Sequence, residues 1–534
     1  AIVIREFDLI NKQFISDGFI TAESKQYFSW LNEDELLIAT NFGPNSMNES
    51  GYPRQVKVWN RAQSLEEAKL IFDGDYKKIF SFPFSSIRPD GSYFGVLEGP
   101  TFFTKVLYLF KELELVKLDL PLKMDVYGTY ENLLIISLAE DWQGYGVGDL
   151  IAVNIDDALD KNITSDSLTL LFEPSEKSFL RSVSVGHKQI LVSILDNISG
   201  QVLQLQKVGD TWIKNQVRGF EGGMLSVSSV DSWSDHTFLN SQGFTESASL
   251  YYSDGAKEFK KIKSVPSKFN PEQYKVEQLY ATSKDGTSIP YFQISNVDMV
   301  KNSKNPTLLY GYGGFEISQT PSYLSAFSRA WLDSGGVYVI ANIRGGGEFG
   351  PNWHQAALKE NRQRAYDDFI AVAEKLIQTR ITSPKHLGIR GGSNGGLLVG
   401  ATFTQRPDLF NAVVCAVPLL DMYRYDKLLA GASWVDEYGD PDNPSEWEFI
   451  SKYSPYQNVF ADQDYPEVYF YTSTKDDRVH PGHARKMAKK MIDQGHKVIY
   501  YENIEGGHSA AANLKQSAYM STLQLEYLRD KLID

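Results

Sequence analysis

Only one cysteine, Cys415, occurs in the 534 residues. No intrachain disulfide can form, and a zinc site built on several cysteines is excluded. Cys415 lies in the apolar run 412–417 and reads as a buried strand residue. The eight histidines contain no H-E-x-x-H pair, the helix-borne ligand set of a metallopeptidase, so neither a metal nor a cofactor is expected. No apolar run reaches the ~18–20 residues that cross a bilayer, and no membrane partner is expected. Long basic runs are also missing, and the net charge is -14; this argues against nucleic acid as the main partner. The first residue is Ala1 rather than methionine, with no signal-peptide pattern behind it. The cytoplasm is the expected compartment, and the non-methionine start leaves the periplasm open. Oligomeric state is not set by these features.

What is present is a folded chain. A hydrophobic content of 42% with 13% aromatics argues against disorder, and the length exceeds what one core usually serves. From residue 1 to about 270 short β-type runs dominate and helical periodicity is scarce. Turn pairs such as Asp73-Gly74, Asp90-Gly91, Gly209-Asp210 and Asp254-Gly255 separate them. The runs group into units starting near Tyr27, Ile79, Met124, Arg181 and Ser226. A repeat of roughly 45–55 residues holding four short strands predicts β-propeller blades, about five of them; a pair of β-sandwiches is the alternative.

The pattern changes between Pro266 and Pro271. Strand candidates then fall at 276–282, 291–294, 307–312, 337–342, 387–390, 412–417, 468–472 and 498–501, with helical stretches between the later ones. One helix starting near Tyr366 places Phe369, Val372, Ala373 and Leu376 on one face. Eight strands with helices interleaved after the third predict an α/β-hydrolase domain over 271–534, following an all-β propeller domain over 1–270.

Within that second half, Gly391-Gly392-Ser393-Asn394-Gly395 fits G-x-S-x-G between a strand and a helical run. This is the nucleophile elbow, whose neighbours must be small because the backbone is tightly turned. The other reading is a glycine-rich loop whose serine caps a helix. In this fold the chain order is Ser, then Asp or Glu, then His, on loops after strands. Asp476-Asp477 follows the strand 468–472, and His508 follows the strand 498–501. His508 is expected to take the Ser393 proton and an aspartate to orient it; spacing does not choose between Asp476 and Asp477. His480, His483 and His496 are rival bases, but none lies on the loop after the last strand. A further motif, Gly345-Gly346-Gly347-Glu348-Phe349-Gly350, matches the dinucleotide fingerprint G-x-G-x-x-G. Pro351 and Trp353 come next, where a helix should open under a pyrophosphate, so nucleotide binding is disfavoured.

The stretches 310–315, 342–348, 391–396, Trp434 with Tyr438, 476–479 and 506–508 together resemble the catalytic domain of the prolyl oligopeptidase family of serine peptidases. The resemblance implies that Asp476 is the triad acid and that Tyr312 joins the backbone N–H of Asn394 in holding the oxyanion. It implies a proline-ring slot against Trp434, lined by Phe315, Leu419, Tyr438 and Val479, with Arg478 holding a peptide carbonyl. Short peptides cleaved after proline are then the expected substrates. Asp436 and Glu437 keep open a sister activity after basic residues, of the oligopeptidase B kind. The same triad would also serve an acylaminoacyl-type exopeptidase or an esterase, and an inactive propeller-based binding protein is the reading of a different class. Family members carry seven blades and an additional N-terminal segment, so a count of about five suggests an N-terminally truncated propeller.

Overall fold

Short runs that alternate apolar with polar residues need hydrogen-bonding neighbours at their edges and a cover on the apolar face. A computed structural model of the chain describes residues 2–220, 223–255 and 258–533. Three four-stranded antiparallel meanders come first, opening with Tyr27–Asn32, Phe80–Arg88 and Met124–Tyr130. These lie at the expected units near Tyr27, Ile79 and Met124. The units expected near Arg181 and Ser226 do not separate in the same way. Strands from Ser178–Val185 to Lys260–Ser264 form one eight-stranded sheet, because Gly200 pairs in parallel with Met224 and joins the two runs. A side chain at Gly200 would meet Met224 Sδ at 2.5 Å and the Leu225 carbonyl at 2.7 Å, so the absence of a Cβ permits this approach. The last two expected units thus share one sheet. A two-stranded hairpin, Phe7–Asp8 with Gln13–Phe14, precedes them.

Successive sheets share apolar layers. Leu37 and Val56 pack with Val96, Leu107 and Leu109 with Leu134 and Ile151, and Ile135 and Ala152 with Ile190 and Leu203. Meanders stacked face to face in this way make a β-propeller domain.

In the second half the eight strand candidates all form one sheet. They are β1 (Tyr274–Thr282), β2 (Ser288–Asn296), β3 (Thr307–Tyr310), β4 (Val337–Ala341), β5 (Leu387–Gly392), β6 (Ala412–Ala416), β7 (Val468–Ser473) and β8 (Val498–Asn503). The order is β1-β2-β4-β3-β5-β6-β7-β8. Strand β2 runs antiparallel to β1 and β4, and the other pairs are parallel. Parallel strands need cover on both faces, and the alternation supplies it. Leu308, Tyr338 and Val414 face α1 (Ala326–Asp333) and the C-terminal helix, through Trp331, Leu528 and Leu532. Their neighbours Leu309, Val339, Val413 and Cys415 face the opposite layer. That layer holds α2 (Gln363–Gln378), α3 (Asn394–Gln405) and α4 (Gly482–Asp493); the C-terminal helix is α5 (Leu514–Leu532). Phe369, Val372, Ala373 and Leu376 of α2 are fully buried, as their spacing predicts; Phe369, Val372 and Leu376 each contribute about 1.5–3 kcal/mol by burial.

Candidate active site

Strand β5 ends at Gly392 and α3 begins at Asn394, leaving Ser393 alone to make the turn. Its φ of 59° and ψ of −120° lie outside the comfortable regions for a residue with a Cβ. The turn is held by the Ser393 N–H, which donates to the Ala416 carbonyl at 2.9 Å. Two residues earlier only glycine fits: a Cβ on Gly391 would sit 2.0 Å from the Gly395 carbonyl oxygen. Strain concentrated at this one serine pushes its hydroxyl out at the C-terminal edge of the sheet.

Ser393 Oγ lies 2.9 Å from His508 Nε2, and His508 Nδ1 lies 2.8 Å from Asp476 Oδ2 and 3.0 Å from Oδ1. The Arg478 and Val479 N–H groups each donate to Asp476 Oδ1 at 3.0 Å, so the carboxylate is aimed by its own turn. Asp476 is buried, whereas Asp477 is exposed; of the two aspartates, the structure brings Asp476 to His508. The His508 loop is tied down from beneath. Asn503 Nδ2 donates to the Ala510 carbonyl at 2.8 Å and Ser473 Oγ to the Gly506 carbonyl. Three rival histidines have other partners. His480 Nδ1 accepts from the Gly482 N–H, and His496 Nε2 faces the Phe460 carbonyl. His483 is buried with Nδ1 accepting the Asp421 N–H, and burial pushes its pKa down to about 4.

Asn394 is the first residue of α3, where a backbone N–H has no intrahelical acceptor, and that N–H lies next to the nucleophile. Its side chain is fully engaged: Nδ2 donates to the Tyr312 carbonyl at 2.6 Å, while Oδ1 accepts from Arg362 Nη2 and the Tyr438 hydroxyl at 2.7 Å each. Arg362 in turn donates to Glu437 Oε1 at 2.7 Å, both side chains being wholly buried. Glu437 also accepts the Phe315 N–H at 3.1 Å and faces His354 Nε2 at 2.8 Å. These contacts join the oxyanion candidates Tyr312 and Asn394 to Arg362, Glu437 and His354; of these three the sequence reading considers only Glu437, as an acid for basic substrates. Burial, with the Glu437 charge nearby, pushes the Tyr312 phenol up to about 12. It therefore remains a proton donor at neutral pH.

Beside Ser393 a cavity of about 300 Å³ brings together Phe315, Leu419, Trp434, Tyr438, Arg478 and Val479, all expected there. Phe315 stands edge-on to Trp434 at 6.5 Å and to Tyr438 at 5.8 Å, arrangements that aromatic quadrupoles favour. Tyr52, Phe102 and Ile317 complete the wall. Tyr52 and Phe102 come from the propeller half, where no local sequence signal marks them. The Arg478 guanidinium is exposed and, among the described residues, makes no hydrogen bond or ion pair. Glu437, considered as an acidic group for basic substrates, is spent on Arg362, His354 and the Phe315 N–H. The loop 345–350 turns back on itself, Gly345 N–H donating to the Trp353 carbonyl, and the helix after it, Pro351–Gln355, has five residues. A Cβ on Gly345 would lie 2.5 Å from the Gly313 carbonyl oxygen, so its glycine serves close packing beneath the Tyr312 loop.

The sequence profile of the prolyl oligopeptidase N-terminal beta-propeller domain matches residues 1–266, and that of the prolyl oligopeptidase family matches residues 322–533. An uncharacterized peptidase, y4nA, of Sinorhizobium fredii is 43% identical over 549 residues, which cover 100% of this chain and 75% of that protein. The prolyl endopeptidase of Elizabethkingia miricola is 44% identical over 253 residues, 47% of this chain and 36% of that one. Among solved structures, a post-proline cleaving enzyme from Rickettsia typhi superposes with a TM-score of 0.93 at 33% identity, covering 99% of this chain and 80% of that one.

Proposed function

The chain belongs to the prolyl oligopeptidase family of serine peptidases, and from that premise we propose that it hydrolyses short peptides on the carboxyl side of proline, with Ser393, His508 and Asp476 as its triad. One observation carries the reading: the Ser393–His508–Asp476 chain of hydrogen bonds opens directly onto an aromatic slot of about 300 Å³, a size and chemistry suited to a compact apolar ring.

His508 Nε2 accepts the Ser393 proton as Oγ attacks the carbonyl carbon of the proline residue. Asp476 holds the other ring nitrogen and stabilises the imidazolium. The tetrahedral oxyanion accepts hydrogen bonds from the Asn394 N–H and the Tyr312 hydroxyl. His508 then protonates the departing amine, leaving an acyl-enzyme that water cleaves by the same proton path. Arg478 donates to a carbonyl of the peptide upstream of the proline. The engagement of Glu437 supports proline over a basic residue in the slot.

We read residues 1–270 as the propeller domain and 271–534 as the catalytic domain. The single parallel pair, Gly200 with Met224, supports counting the eight-stranded sheet as two blades, about five in all. The restriction to short peptides is supported by Tyr52 and Phe102, which put the propeller half against the slot.

The test is labelling with a fluorophosphonate, mapped by mass spectrometry, beside turnover of neutral chromogenic substrates carrying Gly-Pro, Gly-Ala or Gly-Arg, and of an ester. The expected result is labelling at Ser393 alone and turnover confined to Gly-Pro. An unlabelled, folded chain would overturn the peptidase reading in favour of a binding protein. Preference for the ester or for Gly-Arg would favour the related hydrolases.

A further inference from the structure

A second cavity, of about 720 Å³, lies between the propeller half and the catalytic half, and Phe102, Phe315 and Ile317 line both it and the slot. Its charged lining is mostly paired. Lys105 meets Asp125, Lys359 lies 3.8 Å from Asp436, and Glu316 lies 3.9 Å from His354. Arg181 and Lys123 line the same space with no carboxylate at ion-pair distance among the described residues. Arg181 is placed there by the backbone: the register of strand Ser178–Val185 with Ile190–Asp196 shifts between Leu180 and Ser182. A bulged residue is re-aimed relative to its strand neighbours. Arg181 is exposed to the water of the cavity, and desolvation by the surrounding residues lowers its pKa from the ordinary arginine value. An arginine so placed gains most from an anion that replaces the lost water.

We propose that this cavity binds a carboxylate of the peptide, an acidic side chain or a free C-terminus, on Arg181 with Lys123 in support, while the adjoining slot holds the proline. The proposal rests on the peptidase reading for its ligand class, and its test does not require turnover. Three acetylated Gly-Pro peptides are compared by calorimetry on the Ser393→Ala chain: one neutral and amidated, one with glutamate before the Gly-Pro core and amidated, and one neutral with a free C-terminus. One carboxylate peptide is expected to bind about tenfold tighter than the neutral one, the scale of a charge-assisted hydrogen bond to a partly exposed arginine. Which one it is identifies the source. The ratio should collapse in the added Arg181→Gln variant and survive in Arg181→Lys; because it is taken within one preparation, it does not depend on the folded fraction. It should also shrink on raising salt from about 50 mM to about 500 mM, without any substitution at Arg181. Equal affinity for all three peptides, or an advantage that persists in Arg181→Gln or at high salt, overturns the proposal. Turnover of the neutral peptide by the Ser393 chain tests the peptidase reading separately.

Discussion

Replacing Arg362 by methionine probes the part of the site that lies deepest. The guanidinium and the Glu437 carboxylate are both fully buried and 2.7 Å apart. Removing one member of such a pair leaves a charge with neither water nor its partner, at a cost of about 3–5 kcal/mol. His354 and the Phe315 N–H still contact Glu437, which puts Arg362→Met near the lower end. The same change takes one of two donors from Asn394 Oδ1, loosening the residue whose N–H is proposed to hold the oxyanion. Deleting an oxyanion donor costs about 10²–10³ in kcat; loosening one should cost about tenfold. Stability is read from urea unfolding followed by tryptophan fluorescence, and kcat from a neutral Gly-Pro substrate. Pairing Arg362→Met with Glu437→Gln removes both charges and should recover at least about 1–2 kcal/mol of the single variant's loss. A single variant that unfolds within about 0.5 kcal/mol of the parent and turns over at the parent rate would refute the reasoning.

Tyr312→Phe should lower kcat by about 10²–10³ with little change in KM, because the proposed mechanism uses the phenol on the oxyanion; an equal change in KM alone would assign it to binding. Asp476→Asn should lower kcat by about 10³–10⁴, and Asp477→Asn much less, since His508 keeps its carboxylate; steady-state kinetics on both decides the acid. Glu348 gives a pH prediction. Burial pushes its carboxyl from 4.5 up to about 7, so the folded chain retains a proton that the unfolded chain releases. Its contribution is present at and below pH 4.5 and fades as pH rises through about 7. Urea midpoints of Glu348→Gln from pH 5 to 8 should show a flatter decline than the parent's; parallel curves would contradict this.

The catalytic sheet was legible because each of its eight strands carries an apolar run bounded by turn residues, and because the hydrolase order fixes where a nucleophile, acid and base must fall. The choice of Asp476 over Asp477 was not, since both follow β7 and only the Arg478 and Val479 N–H groups select one. Arg362 carries no signal in the sequence, and Glu437, close to Trp434, reads only as a possible acid for basic substrates; the fold buries the two together as internal partners. Tyr52 and Phe102 reach the slot from loops hundreds of residues away in sequence, a proximity that no local period encodes. The joining of the last two expected units into one sheet escaped the repeat pattern, because it rests on one pair, Gly200 with Met224.

The most direct measurement is a mass-spectrometric digest of one short peptide that offers a single proline, a single alanine and a single arginine, each in a comparable setting, by the chain and its Ser393→Ala variant. A cut after proline alone, absent from the variant, is the predicted result. A cut after arginine or alanine at a similar rate, or any cleavage that survives Ser393→Ala, would contradict the account.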